Sequence, residues 1–297
     1  MANTVNQPGG PSSTAANPPA IDPVWEVVGD WNWTAESAHT FSDGVAQSFQ
    51  GIDFTSRNTA LAGTLEVGSS GLEIGISGSQ ATSRYYHTNM TGPVVFAALD
   101  DIVSGYSLAD TVVIQCVMNP VVDTVQGSNE SNQHVYGGLL VFDGGYGDPS
   151  TGNWYQANWY RGLSAATNYY HARYGGGTAA NAGDNVVTTD TGGAAPRFVE
   201  LVIYPGTGWS SAISLDTSIQ ALFSVSTGVY YGNMETSLPQ DIGSGGTISP
   251  GTTPDFTLRP SNIKVGMWAA YLTLGGGLRA SEITVTFERF RVLKRKS

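Results

Sequence analysis

The chain of 297 residues contains one cysteine, Cys116, and therefore cannot form an internal disulfide bond. Cys116 lies in the strand-like apolar run 112–118, in phase with Val112, Ile114 and Met118. This alternation predicts a buried core thiol and not a reactive one. Stability must therefore come from packing or from assembly.

Charged residues are scarce, at 12% of the chain against about 25% in an average soluble protein. The net charge of −11 argues against nucleic-acid binding, because a phosphate backbone needs a cationic surface. The positive charge is concentrated at one end, where no acid accompanies it. A basic end on an acidic body predicts docking to an acidic neighbour, such as another copy of the chain, or else a solvated terminus. The residues concerned are Arg289, Arg291, Lys294, Arg295 and Lys296.

Long apolar runs are missing as well. The first residues, Met1–Asn6, have neither the basic nor the apolar region of a signal peptide, and no run approaches about eighteen apolar residues. We therefore expect synthesis in a cytoplasm and no contact with a membrane.

What the chain has in excess is glycine, 38 residues, together with Thr, Asn and aromatic side chains. This composition disfavours helices and suits short strands joined by tight turns. Residues 24–297 are predicted to form a single all-β domain, with one short helical turn within 97–103 and long loops at 175–196 and 231–260. The predicted strands are 25–28, 46–54, 60–67, 72–76, 94–99, 111–118, 135–142, 154–161, 169–174, 197–204, 211–215, 221–225, 263–271 and 282–293.

Residues 1–23 are rich in Pro, Gly, Ser, Asn and Ala and cannot bury apolar surface. They predict an extended arm. Because such arms are ordered only when something holds them, we expect this one to lie against a partner or another copy of the chain.

Two motifs resemble a known family. The first is the C-terminal pair of strands: residues 263–271 read I-K-V-G-M-W-A-A-Y, and after a Gly-rich turn residues 283–293 read I-T-V-T-F-E-R-F-R-V-L. The second is G-G-L-L-V-F-D (137–143) followed by N-W (153–154). Both resemble the concanavalin A-like lectin/glucanase family. The resemblance implies a jelly-roll β-sandwich of two curved antiparallel sheets, on which glycans commonly bind at the concave face.

The closing strand contains a conflict of period. Ile283, Val285 and Phe287 share one face, whereas Phe290 and Val292 would fall on the other. A side-chain period of two permits this only with a bulge or a change of buried face near residues 288–289.

The hairpin 154–174 is the candidate ligand-binding face, because alternation places flat aromatic rings beside amide, imidazole and guanidinium groups. Sugar recognition needs this mixture, although ordinary packing or subunit contacts would explain the same residues. The predicted glycan-binding residues are Trp154, Gln156, Asn158, Tyr160, Tyr169, His171 and Arg173.

Catalytic motifs are missing. The resembled glucanases carry an E-x-D-x-x-E run that supplies nucleophile and general acid, and this chain has none. The acids Glu66, Glu73, Glu200 and Glu288 are isolated in sequence, and so are the four histidines. We expect no catalytic residues, no transition metal and no cofactor; calcium at Asp143, Asp148 and Asn153 is the weaker alternative to a simple turn.

Cytoplasmic synthesis combined with a cysteine-poor β-rich body, an arm and a basic end is typical of virion components. The leading hypothesis is a non-enzymatic structural protein of a phage-like virion: a decoration, head-fibre or tail-associated protein. Its arm and basic C-terminus would bind other virion subunits or copies of itself, and its sandwich would bind surface polysaccharide. The alternatives are a carbohydrate-active enzyme of the same fold, either a glycoside hydrolase or a lyase, and a capsid protein with two four-stranded sheets.

Overall fold

A computed structural model provides the structure, and it describes residues 25–57, 64–80, 93–106, 110, 112–125, 133–142, 153–162, 167–176, 179–190, 197–203, 213–214, 219–224, 247–248, 257–258, 263–273 and 279–296. The predicted arm, residues 1–23, lies outside these residues. So do Asp143 and Asp148, two of the three possible calcium ligands.

The described chain is a succession of strands with a single short helix. The helix α1 (Leu99–Ile102) falls within the helical turn that the sequence predicts at 97–103. The strands are β1 (Trp25–Asn32), β2 (His39–Thr40), β3 (Ala46–Phe49), β4 (Ile52–Arg57), β5 (Leu65–Gly68), β6 (Gly71–Gln80), β7 (Val94–Ala98), β8 (Val112–Val125), β9 (Gln133–Phe142), β10 (Asn153–Gly162), β11 (Thr167–Gly176), β12 (Ala179–Asp190), β13 (Arg197–Ile203), β14 (Ile213–Ser214), β15 (Ile219–Ser224), β16 (Thr247–Ile248), β17 (Thr257–Leu258), β18 (Lys264–Thr273) and β19 (Arg279–Arg295).

Most of these strands form two large antiparallel sheets, and β14 and β17 form a separate pair. Sheet A has the order β16-β15-β13-β8-β19-β6-β5-β2, with β1 also paired to β19, and sheet B has the order β12-β11-β10-β9-β18-β7-β4-β3. The all-β sandwich predicted from the sequence is confirmed. The described strands give sheets of nine and eight, which are larger than the four-stranded sheets that the capsid alternative required.

The core lies between the two sheets and unites side chains from both. Val285, Phe287 and Phe290 of β19 belong to the same buried cluster as Leu139 and Val141 of β9. At Gly137 the sheets come so close that an added Cβ would lie 2.9 Å from Val285 Cγ1. We call the side of each sheet that faces this core its inner face and the opposite side its outer face.

The predicted irregularity in the closing strand is confirmed as a bulge. The register between β19 and β8 shifts between Phe287 and Arg289, which leaves Glu288 as the extra residue. The extra residue restores the phase, so that Phe287 and Phe290 both lie in the core.

Three element predictions are wrong, and the simplest case is the predicted loop 231–260, which contains the two-residue strands β16 and β17. The predicted strand 46–54 is a hairpin, β3 and β4, because Gln50 and Gly51 adopt positive φ angles of 53° and 83° and reverse the chain. The predicted loop 175–196 contains β12, which pairs with β11. Its Ala-, Asn- and Gly-rich sequence lacks apolar alternation, and backbone pairing along the edge of sheet B forms the strand instead.

Candidate ligand-binding face

The β10–β11 hairpin has the register that the sequence-based prediction required. Gln156 is paired with Arg173, Asn158 with His171 and Tyr160 with Tyr169, and the register between these two strands is unbroken. Because side chains alternate along a strand, the predicted positions of β10 and β11 share one face of sheet B.

That face is the outer one. Trp159 belongs to the core between the sheets, which places its neighbour Asn158, and Gln156 two residues away, on the opposite side. Both Gln156 and Asn158 are nevertheless fully buried. The outer face at this point is therefore not a bare surface, and two neutral amides are held there away from water.

A hydrogen-bonded series of side chains crosses three strands of this face. Asn158, Gly138 and Trp268 stand side by side on β10, β9 and β18. Since Gly138 has no side chain, the indole of Trp268 can reach across β9, and its Nε1 donates to Asn158 Oδ1 at 2.8 Å. Asn158 Nδ2 donates in turn to Gln156 Oε1 at 3.2 Å.

Both hydrogen bonds of the series point the same way, because Trp268 donates to Asn158 and Asn158 donates to Gln156. An indole N–H can only donate, so Asn158 must turn its oxygen towards Trp268 and its nitrogen towards Gln156. Gln156 then accepts through Oε1 and is left with its own Nε2, which has no hydrogen-bond partner within the described part of the chain. Leaving a buried donor unpaired costs about 1–3 kcal/mol.

Aromatic rings lie on the same face as the series. Tyr136 is stacked near Trp268, with ring centroids 6.5 Å apart and an interplanar angle of 17°. Further along the face, Phe96 meets Phe142 edge to face at 5.1 Å, and the ammonium of Lys264 lies 5.6 Å from the centroid of the Phe142 ring. The face thus combines flat apolar rings with directional donors, the chemistry that sugar binding uses, but these four rings are buried like the two amides.

For the other five predicted residues, Trp154, Tyr160, Tyr169, His171 and Arg173, the structure describes the strand position and not the side chain. Their assignment as ligand-binding residues stays a prediction. Trp268 is the residue of this face that the sequence-based reasoning missed. Its strand was predicted, but its position beside Asn158 depends on the order β10-β9-β18, which no local pattern contains.

Comparison with known proteins adds little. No family model matches the chain, and no curated protein matches it. Among solved structures, the alginate lyase from Klebsiella pneumoniae matches with a TM-score of 0.31 and 9% identity, over 77% of this chain and 90% of that one. A likeness this low supports no conclusion about function, and membership of the concanavalin A-like family stays a prediction.

A second cluster of polar groups lies on the outer face of sheet A. Asp30 of β1 accepts hydrogen bonds from Arg289 Nε at 2.6 Å and from Arg291 Nε and Nη2 at 3.1 and 2.9 Å. Burial raises the pKa of the Asp30 carboxyl, but the hydrogen bonds and charges of the two arginines outweigh it, and the pKa is lowered overall. Lys294 forms a third ion pair, with Asp110 at 3.0 Å. Three of the five basic residues of the C-terminal segment are thus paired within the chain, while Arg295 and Lys296 are exposed.

The described acids include one close pair. Glu66 of β5 and Glu73 of β6 stand directly opposite each other, although no motif in the sequence links them. The Gly-Ser-Ser-Gly turn between their strands, residues 68–71, is the sequence signal that predicts this hairpin. Glu288, at the bulge of β19, has its pKa raised by burial.

Within the described ranges, no three His, Cys, Asp or Glu side chains come together as a metal site would require. The described part of the chain also contains no helix long and apolar enough to cross a membrane. Cys116 is buried, as predicted, and burial raises the pKa of its thiol.

Proposed function

We propose that the protein is a non-enzymatic structural protein of a phage-like virion that binds surface glycans through the outer face of sheet B. The site is the predicted set on β10 and β11, together with Trp268 of β18. The arm, residues 1–23, and the basic C-terminal end would bind neighbouring virion subunits or other copies of the chain.

The observation that supports glycan binding is the oriented series Trp268–Asn158–Gln156. It places an unpaired donor, Nε2 of Gln156, among aromatic rings on the same face as the predicted residues. A buried polar group that has no partner is costly and is usually retained for a purpose. Recognition of a ligand oxygen would be such a purpose only if the side chains that cover Gln156, which has no exposed surface, move aside; binding would then remove the cost.

The observation that supports anchoring is that the residues next to the two predicted docking segments, the arm and the basic C-terminal end, lie close together. Trp25, the first described residue after the arm, is paired with Arg295 near the end of β19. The described residues next to the two segments, Trp25 and Arg295, therefore lie side by side at the same end of the sandwich. A single neighbour can bind both.

A panel of polysaccharides tests the glycan proposal. We expect saturable binding without turnover. We also expect Trp154→Ala or Arg173→Ala to weaken binding at least about tenfold, because each removes a stacking ring or a charged donor. Arg57→Ala is the matched control, since Arg57 lies on the distant strand β4 and its ion pair with Asp43 is long, at 3.9 Å, and exposed.

Other results of the same experiment would decide against the proposal. Binding that survives both hairpin variants would place the ligand elsewhere. Turnover that disappears on replacing Glu66 or Glu73 would favour the carbohydrate-active enzyme. No binding to any glycan would leave only the anchoring role.

A further inference from the structure

We infer that the basic C-terminal end binds a second copy of this chain, and that it binds there to the acidic pair of α1, Asp100 and Asp101. The inference rests on the anchoring part of the proposed function and names the partner. The contact is reciprocal: around a twofold axis, the exposed cations of each copy meet the acids of the other.

The exposed charges of this region have no partner among the described residues. Asp100 and Asp101 are exposed on the four-residue helix α1, and Arg295 and Lys296 are exposed at the end of the chain. No ion pair joins any of these four side chains to another described residue. Since only 12% of the chain is charged, two unpaired acids and two unpaired cations in one region are a marked local concentration.

The acids and the cations lie at the same end of the sandwich. β1 passes α1 at Gly29, where an added Cβ would lie 3.1 Å from Ile102 Cγ2. Gly29 is also paired with Val292 of β19, and Arg295 follows three residues later, about 10 Å along the strand. A surface that carries both signs of charge is complementary to itself, which a twofold interface requires.

Lys294 shows that the nearby acid within the chain is already occupied. It pairs with Asp110 at 3.0 Å, and the two side chains are only 24% and 17% exposed. The next two cations along the chain have no such acid among the described residues. They therefore need a partner outside the chain.

The same end of the sandwich has an open strand edge. Among the described strands β1 pairs with β19 alone, so its other edge has no neighbour. Val27 of β1, 37% exposed, is one of two large hydrophobic side chains exposed in the described part of the chain. An open edge with an exposed apolar side chain beside the basic end is a surface that a second copy can cover.

Sedimentation velocity of the purified chain tests the inference. We expect a dimer that weakens at high salt, because exposed charge pairs are screened. The acid reversal, Asp100→Lys with Asp101→Lys, and the base reversal, Arg295→Glu with Lys296→Glu, should each raise the dissociation constant at least about tenfold. An equimolar mixture of the two variants should dimerise again, because each contact then joins opposite charges.

A milder change guards against unfolding of α1. Asp100→Asn with Asp101→Asn removes the charges at nearly constant shape and should also weaken the dimer. The unfolding midpoint of each variant checks that the sandwich is intact.

Glu66→Lys with Glu73→Lys is the matched control. It reverses two acids that stand opposite each other, as the acid reversal does for two adjacent ones. Glu73 is paired with Thr286, nine residues or about 30 Å along β19 from Arg295. This variant should dimerise like the wild type.

Three results would overturn the inference: a monomeric wild-type chain, a dimer that the acid reversal leaves intact, or a mixture of the two reversals that stays monomeric. If the base reversal still blocked incorporation into particles in any of these cases, the proposed anchoring would stand and only the partner would be wrong. Incorporation that survives the base reversal as well would contradict anchoring by this end.

Discussion

At the scale of single residues, the ion pairs of Asp30 join the first described strand to the last. Asp30 of β1 stands opposite Arg291 of β19, and Arg289 reaches the same carboxylate from the same face. Arg291 is almost completely buried, at 2% exposure, so its charge depends on the carboxylate more than a surface charge would.

Asp30→Asn should lower the free energy of unfolding by about 3 kcal/mol at neutral pH, because it leaves two neighbouring guanidinium groups without their shared anion. The folded-state pKa of Asp30 is lowered, so its contribution is fully present above the unfolded pKa of about 3.9 and is lost as the pH falls through the folded value. Urea unfolding at several pH values should show the difference between wild type and variant shrinking below about pH 4.

Asp43→Asn is the control for this measurement. Asp43 and Arg57 are both about half exposed and 3.9 Å apart, so the cost should be below about 1 kcal/mol. A difference between wild type and Asp30→Asn that stays constant down to pH 2 would contradict the role assigned to the carboxylate.

At the scale of elements, β19 connects three other strands of sheet A, because it pairs with β8, β6 and β1. One of its edges pairs with β8 throughout, while the other pairs first with β6, up to Phe287, and then with β1, from Arg289. At the bulge, Glu288, the partner strand on this edge changes from β6 to β1. The carbonyl of Glu288 there accepts a hydrogen bond from the backbone N–H of Trp33 at 2.9 Å. Gly71, the first residue of β6, packs against this point.

Gly71→Ala should destabilise the protein by more than about 3 kcal/mol. Its φ of +127° is a conformation that side chains rarely adopt, and an added Cβ would overlap the carbonyl oxygen of Phe287. Gly51→Ala is the matched control: its φ is +83°, but nothing lies within 4 Å of the added atom, so only the strain of about 1 kcal/mol remains. Equal urea midpoints for the two variants would show that a Cβ at position 71 does not clash with the backbone of β19.

The existence of most strands could be predicted from the sequence, but their order within the sheets could not. The irregularity in β19 follows from the phase of Phe287 and Phe290, because a strict period of two cannot bury both on one face, but the register with β8 was needed to choose the bulge over a change of buried face. The strand β12 could not be predicted, since its residues supply no alternation and its partner β11 supplies the hydrogen bonds.

The candidate site could likewise be predicted only in part. The shared face of Gln156 and Asn158 follows from alternation and a hairpin. Their burial and the donor from Trp268 do not, because Trp268 is 110 residues from Asn158 and meets it only through the order of three strands.

At the scale of the whole molecule, the first and last described strands are paired on sheet A, while the candidate ligand-binding face lies on sheet B. The pairing of Trp25 with Arg295 places both ends on sheet A, and Gln156, Asn158 and Trp268 lie on the outer face of sheet B. A protein anchored by its ends would therefore present the opposite side of the sandwich outwards. This arrangement is compatible with the proposed function, in which the chain would be fixed to a particle and would bind a surface beyond it.

Deletion of residues 1–23 should abolish incorporation into particles, or self-association, while it leaves the sandwich folded. The arm's composition cannot bury apolar surface, so we expect the urea midpoint to stay within about 0.2 M of the full chain, a shift of well under 1 kcal/mol for ordinary denaturant slopes. Reversal of the exposed pair, with Arg295→Glu and Lys296→Glu, should weaken assembly by itself. Sedimentation velocity and particle occupancy measure these effects; full occupancy of the truncated chain would show that the arm is not the anchor.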